Sequence, residues 1–449
     1  MKKRRQDPRP SCHLQLQPGR QSRGGPPRRP IEMRSRRQNR PSCRRRTPAA
    51  FRPGDTLRLG NPSRLIDEAT PPLTINPMMH TDLIERLHAT PWRGVLAITG
   101  GGSGAIERLL TVPGASATVL EAVVPYCQTA LADWLDETPA RACDERTARQ
   151  MAMCGFERAR RLAPDADPRT LFGVGCTASL ASSRPKRGDH RAHIAVQTAG
   201  RTLLVTLQFE KGRRSRADEE GATAHTVVAT LAQIAGVHQL DLTKTPPGIE
   251  ASVEDVAAPA EWVELLLGER DVVTLHHAPA PRGVAVCLFP GSFNPPHAGH
   301  AAIARHAAER TGRPVVLELS ITNVDKAPLD YIELTRRTHA LAGQPLWLTQ
   351  TPTFAQKAEL APGAVFAVGA DTIERIGQGR YYADDAARDA ALQSLAERGC
   401  RFLVFGRMAD DQFAGLDHLA LPPALRALCD GVPETDFRVD VSSSEIRSS

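Results

Sequence analysis

The clearest chemical signal in the sequence is the run Phe289-Pro-Gly-Ser-Phe-Asn-Pro-Pro-His-Ala-Gly-His300. An apolar strand, Val284–Phe289, leads into it, and an Ala-rich helix over Ala301–Arg310 follows. Pro295-Pro296 forces an extended turn, and Gly291 and Gly299 let backbone approach a ligand closely. His297 and His300 then fall in the first turn of a helix whose free N–H groups and dipole favour anions. Strand, glycine turn, two imidazoles and a helix N-terminus form a cradle for a triphosphate without a Walker-type lysine loop. The same His-x-x-His spacing also suits metal binding or two ordinary surface histidines.

A second run, Val441-Ser-Ser-Ser-Glu-Ile-Arg447, has Ser442 and Glu445 at capping-box spacing, which makes it another helix N-terminus. Arg447 would bring a forked, permanent positive charge suited to β/γ-phosphates. Between the two runs, Gly369-Ala-Asp-Thr372 follows the apolar strand Ala364–Val368, and Phe402-Leu-Val-Phe-Gly-Arg407 ends a further strand. Asn323-Val-Asp-Lys326 places a lysine in a loop. Lys326 and Arg407 equally suit solvated surface charges.

The first run resembles the Gly-x-Phe-x-Pro-x-His-x-Gly-His signature of the nucleotidylyltransferase superfamily, and the second its Ile-Ser-Ser-Thr-x-Ile-Arg motif. The spacing of roughly 150 residues and the strand-before, helix-after context fit that pattern. The resemblance covers nearly all of 284–449 and is nearest the nicotinamide/nicotinate mononucleotide adenylyltransferases, which open with Gly-Ser-Phe-Asn-Pro-Pro-His. One departure is that the sequence ends two residues after Arg447, where family members commonly continue into a further helix. The resemblance implies attack of a mononucleotide phosphate on the α-phosphorus of ATP with release of pyrophosphate, by positioning and charge stabilisation. It assigns His297, His300 and Arg447 to catalysis. Nucleotide binding would fall to Gly291, Ser292, Phe293, Asn294, Gly299, Lys326, Gly369, Asp371, Arg407, Ser443 and Ser444. ATP is the expected substrate, with Mg²⁺ bridging its phosphates on few protein ligands and no dedicated protein metal site. CTP, another phosphorylated acceptor, or nucleotide sensing without turnover are the alternatives.

A different region, 80–240, resembles the CinA-type C-terminal domain, the nicotinamide mononucleotide deamidase family. The resemblance runs through Ala97-Ile-Thr-Gly-Gly-Gly-Ser-Gly-Ala105, Tyr126 and Gly175-Cys-Thr-Ala-Ser179. Aligned on the alanine of the family's Ala-Glu-Ser-Cys-Thr-Gly-Gly, Thr99 stands at the nucleophile position and Ile98 where an acid is expected. Thr99, Ser103 and Tyr126 are the candidate residues of this site. Thr99 keeps the hydroxyl, but its β-branching and the lost acid point to a ligand-binding or vestigial domain. The Gly100–Gly104 turn would present helix N–H groups to a phosphate, and Ser103 would bind phosphate or merely cap. Gly100-x-Gly102-x-x-Ala105 with Glu121 also imitates a dinucleotide fingerprint, and Gly101-Gly-Ser-Gly-Ala105 a nucleophile elbow lacking its last glycine. The basic run Arg184–Arg191 would neutralise a substrate phosphate or simply be solvated.

These residues need scaffolds. Gly94–Thr99, Ala117–Val124, Thr170–Thr177, Ala192–Thr198 and Thr202–Phe209 read as strands, and 105–110, 144–162 and 222–235 as helices. That alternation predicts an α/β unit with a mixed sheet over 78–240. Residues 241–282 read as a connection with one helix at about 254–268. A Rossmann-like, doubly wound parallel sheet of the nucleotidylyltransferase type is expected over 283–449.

The chain has 449 residues, 41% hydrophobic and 24% charged, enough for more than one core. No apolar stretch reaches the ~18 residues of a membrane span, so an integral membrane protein, a coiled coil and a wholly disordered chain are excluded. The net charge of +7 is uneven: residues 1–52 carry 17 Lys+Arg against Asp7 and Glu32, leaving 40 basic and 48 acidic residues in 53–449. The body is therefore mildly acidic and gives no support for nucleic-acid binding. Residues 1–77 are Pro/Arg/Ser-rich without apolar periodicity and read as a disordered basic extension. A nucleic-acid arm, a transit peptide and an upstream extension outside the working protein compete, the last being favoured. Nine scattered cysteines without a Cys-x-x-Cys pair point to reduced thiols in a cytoplasmic protein, possible as a homo-oligomer.

Overall fold

The computed structural model describes residues 77–449 except Pro185 and the stretches 240–244, 282–283, 324–326, 410–411 and 439–449. Residues 1–76, Lys326, and the second motif with Ser443, Ser444 and Arg447 lie outside the described residues.

The first sheet is built around β1 (Arg93–Thr99), an apolar run buried along nearly its whole length. Alternate side chains serve opposite layers, as a central strand requires. Val95 clusters with Met153 and Phe156 of helix Glu145–Leu162, while Leu96 and Ile98 cluster with Val227 and Leu231 of helix Arg216–Ile234. Flanking β1, and parallel to it, are β2 (Val119–Val123) and β3 (Leu171–Ser179). Antiparallel neighbours β4 (His190–Thr198), β5 (Arg201–Phe209) and β6 (Ile249–Ala257) complete the order β2-β1-β3-β4-β5-β6. This is the expected mixed sheet. Helix Glu145–Leu162 lies so close to β3 that only glycine fits beneath it. A Cβ on Gly173 would stand 2.1 Å from the Ala152 oxygen and the Phe156 nitrogen, and one on Gly175 2.0 Å from the Ala148 oxygen.

The second sheet begins with β7 (Val272–Leu275) and continues through β8 (Cys287–Pro290), β9 (Val315–Ser320), β10 (Leu346–Thr349), β11 (Val365–Gly369) and β12 (Arg401–Phe405). A short hairpin, β13 (Arg407–Ala409) and β14 (Gln412–Ala414), precedes the last strand, β15 (Cys429–Val432). The order is β15-β12-β11-β8-β9-β10-β7, with β7 antiparallel to β10 and the other described pairs parallel. The α/β class and the Rossmann-like doubly wound arrangement expected from the sequence are both present.

The segment 241–282 corrects one expectation. Instead of a bare connection it supplies β6 to the first sheet and β7 to the second, and its helix is shorter, Ala260–Leu267. β6 is an edge strand with most side chains exposed, so it lacks the apolar alternation that would reveal it. A nine-residue ladder with β5 defines it instead. The described residues belong to one compact unit. One apolar cluster joins Phe156 and Leu171 of the first half to Trp262, Tyr331, Leu346 and Phe289.

Candidate functional site

The chain passes from β8 to β9 on one side, and β11 lies on the other side of β8. The crevice beyond the carboxyl ends of β8 and β11 is therefore a topological switch point, where open α/β sheets bind ligands. Phe289-Pro290-Gly291 leaves β8 at this place, and Gly369-Ala370-Asp371 leaves β11. Helix Ala298–Thr311 packs on β8, β9 and β11 with His297 at its N-cap.

Aromatic packing shapes the cradle. Phe293 sits at φ +45° with its ring buried, edge-on to Phe289 at 5.6 Å and to His300 at 5.0 Å between centroids. A Cβ on Gly291 would be 2.7 Å from that ring, so Gly291 makes room for Phe293 rather than for a ligand. The imidazoles of His297 and His300 lie 3.8 Å apart. The His297 backbone N–H donates to His300 Nδ1 at 3.1 Å, so neutral His300 carries its proton on Nε2. Burial, and secondarily the neighbouring His297, pushes His300 down to about 4; burial also lowers His297. Two uncharged imidazoles thus stand at a helix N-terminus, ready to donate N–H groups to an anion.

A stability test follows from that burial. Below the ordinary imidazole value the unfolded chain takes up a proton at this position, whereas folded His300 resists until about 4. The stabilisation from neutral His300 is present above about pH 6.5 and fades as pH falls to 4. At ~1.4 kcal/mol per unit, and allowing for partial access to water, this amounts to about 2 kcal/mol. Denaturant titrations of wild type and H300N should show their stability difference shifting by that amount between pH 7 and pH 4. A pH-independent difference would refute the assignment.

Of the other residues expected to bind nucleotide, Gly369, Asp371 and Arg407 follow the carboxyl ends of β11 and β12, and Ser292, Asn294 and Gly299 follow that of β8. Asp371, in the first turn of helix Ala370–Gly377, pairs with Arg407 at 2.8 Å, both half-exposed. Asn294 donates through Nδ2 to Glu333 at 3.3 Å, and the Ser292 carbonyl accepts from Arg337 at 3.1 Å. Gly299 is buried in the first turn of the His297 helix. Phe437, near the end of the described chain, packs on His306 of that helix and on Phe405 of β12. Among the described residues no group of three or more His, Cys, Asp or Glu is placed to cage a metal ion.

In the first half, Thr99, Ser103 and Tyr126 do come together, on a cleft of about 520 Å³ that Arg216 and Glu220 also line. Thr99 is nearly buried and Tyr126 largely exposed. The Gly100–Gly104 turn contradicts the expected phosphate seat. Glu220 accepts from the Gly102 N–H at 2.7 Å, the Gly104 N–H at 3.1 Å and the Ser103 hydroxyl at 3.1 Å. A carboxylate from the chain itself holds the donors that a phosphate would need, and Ser103 does not cap its helix. Arg216 donates to the carbonyls of Gly100 and Ala181. Local spacing gave no hint of Arg216 or Glu220, which arrive from a helix over a hundred residues downstream. The basic run is likewise used internally: Lys186 donates to the Leu180 carbonyl and Arg191 to that of Cys143. Glu121, required free by the dinucleotide alternative, is held by Arg158 at 2.8 Å.

No helix among the described residues is long and apolar enough to cross a membrane. The comparison with curated proteins returns no match. Among solved structures, the chain is similar to the competence/damage inducible protein CihA from Agrobacterium tumefaciens, at 22% identity, over 34% of this chain and 94% of that one, with TM-score 0.29. It is also similar to a CinA superfamily protein from Klebsiella pneumoniae (17% identity, 36% and 98% covered, TM-score 0.29). A third is a CinA superfamily protein from Enterobacter cloacae (20% identity, 39% and 98% covered, TM-score 0.29). Over residues 288–449, from β8 through the switch-point crevice to the end, the chain matches the family described as cytidylyltransferase-like.

Proposed function

We propose that the C-terminal half transfers AMP from ATP to a pyridine mononucleotide, nicotinamide or nicotinate mononucleotide, and releases pyrophosphate. The observation that carries this reading is the pair of imidazoles, 3.8 Å apart at a helix N-terminus beside the β8/β11 switch point. The cytidylyltransferase-like match over the same residues supports nucleotidyl transfer in general.

An acceptor phosphate oxygen attacks the α-phosphorus in line; the bond to the β-phosphate breaks and pyrophosphate leaves. Negative charge grows on the bridging and β-phosphate oxygens, where N–H donors of His297, His300 and the helix terminus stabilise it. No protein nucleophile is required. Asp371 and Arg407 line the nucleoside side, and Lys326, Ser443, Ser444 and Arg447 would add charge and hydrogen bonds. Mg²⁺ arrives with the triphosphate as part of the substrate.

The test is pyrophosphate release from ATP or CTP with a panel of phosphorylated acceptors. Turnover with ATP and a pyridine mononucleotide supports the reading. The family description makes CTP the second candidate, and turnover with CTP alone would replace the first. Ligand-induced thermal stabilisation without turnover would mean a sensor.

The Thr99 cleft is proposed to be non-hydrolytic. Thr99 is β-branched and nearly buried, Ile98 supplies no acid, and Glu220 is committed to the glycine turn. Ammonia release from nicotinamide mononucleotide should be absent in the wild type. Robust release, abolished by Thr99→Ala, would overturn this.

A further inference from the structure

We propose that Arg149, on a helix of the first half, is a positioning residue for the Ser292–Asn294 segment of the cradle; this rests on the nucleotidyl-transfer reading above. The link runs through helix Tyr331–Ala340. Its first turn is fastened to the first sheet: Ile332 inserts among Ala148, Ala152, Ala195 and Leu204, and the Tyr331 N–H donates to Thr202 Oγ1 at 3.0 Å. The Tyr331 hydroxyl donates to the Ala199 carbonyl. Arg149 is 2% exposed beneath that turn. Its Nε stands 3.2 Å from Asp330 Oδ2, and its Nη2 3.9 Å from Glu333 Oε2.

Glu333 divides its carboxylate between the two halves. One oxygen faces Arg149 of the first half. The other accepts from Arg337 Nε at 2.8 Å and from Asn294 Nδ2 at 3.3 Å, and Arg337 in turn donates to the Ser292 carbonyl at 3.1 Å. Burial alone would push the Glu333 carboxyl up, but Arg337, Arg149 and Arg336 together hold it below the usual range, so it remains an acceptor. Without Arg149, buried Asp330 would lose the guanidinium 3.2 Å from its Oδ2, and the outer Glu333 oxygen would keep only Arg336, at 3.5 Å on its own helix. Asp330 caps the first turn of that helix through the Glu333 N–H, so the turn and the Glu333 carboxylate would shift together toward Arg336, and Asn294 and Ser292 would lose their support. Displacements of about 1 Å in such supports are costly for positioned chemistry.

The experiment uses the full chain and two readouts: backbone hydrogen exchange over 290–297, with 171–179 as control, and kcat/KM for pyrophosphate release. R149M should accelerate exchange over 290–297 about tenfold, leave the control unchanged, and lower kcat/KM about tenfold. R149K keeps the charge without the fork and should fall between R149M and wild type. Exchange over 290–297 within about twofold of wild type in folded R149M would overturn the proposal. If R149M does not fold, E333Q is read by the same exchange, and an unchanged segment again overturns it. Exchange needs no turnover: a wild type that released no pyrophosphate would sink the proposed reaction, while exchange would still decide whether Arg149 holds this segment.

Discussion

Substituting His297 by Ala is expected to lower pyrophosphate release by about 10²-fold, and substituting both His297 and His300 by more, because each donor acts on charge that appears only in the transition state. The double variant removes the imidazole pair and leaves the helix N–H groups in place. His297 is a half-buried N-cap whose loss should change the melting temperature little. His300 packs on Phe293 and Phe289, so His300→Asn is the better single variant: its side-chain oxygen can still accept from the His297 N–H. Steady-state kinetics beside thermal melts separate the two effects. Full pyrophosphate release by the double variant would remove the central claim about this crevice.

The largest effect on stability is expected from Gly173→Ala. The new methyl would be driven into the backbone of helix Glu145–Leu162, with 2.1 Å to both the Ala152 oxygen and the Phe156 nitrogen. Backbone cannot swing aside as a flexible side chain does, so either helix and sheet separate or the pair is not formed. A loss of about 3 kcal/mol or more is expected, the upper end for overpacking. Gly200→Ala is the control: its Cβ would meet only a Val263 methyl at 3.9 Å, and the change should stay within about 0.5 kcal/mol. Denaturant melts of the two variants side by side measure the contrast, and equal stabilities would refute the close-packing account.

The cradle was legible because its parts are contiguous: strand, proline turn, two histidines and helix all lie within 284–311. Helix Glu145–Leu162 was legible because one face is buried at the helical period, and β1, β3, β4 and β5 because they are apolar-rich runs buried along most of their length. Helix Arg216–Ile234 begins six residues earlier than the apolar pattern indicated. Its start was available in Ser215-x-x-Asp218, a capping box present in the structure. What could not be read was tertiary. Glu220 filling the glycine turn and Phe293 lying under His300 depend on partners that only folding brings near. Arg149 interrupts an otherwise apolar helix face with a charge, and nothing in its neighbourhood along the chain names Asp330 or Glu333 as its counter-charges.

β6 and β7, adjacent in the chain but in different sheets, shape how the protein is made. β6 is the last strand of the first sheet in chain order and pairs with β5, already synthesised, so that sheet can close as soon as β6 leaves the ribosome. β7 follows at once, yet its only described neighbour, β10, is made after β8 and β9. During that interval β7 is an unpaired strand tethered beside a finished sheet, an exposed edge of the kind that chaperones cover. The first half also completes the Arg149 and Thr202 surface before helix Tyr331–Ala340 exists, and so offers the emerging second half a template against which to dock.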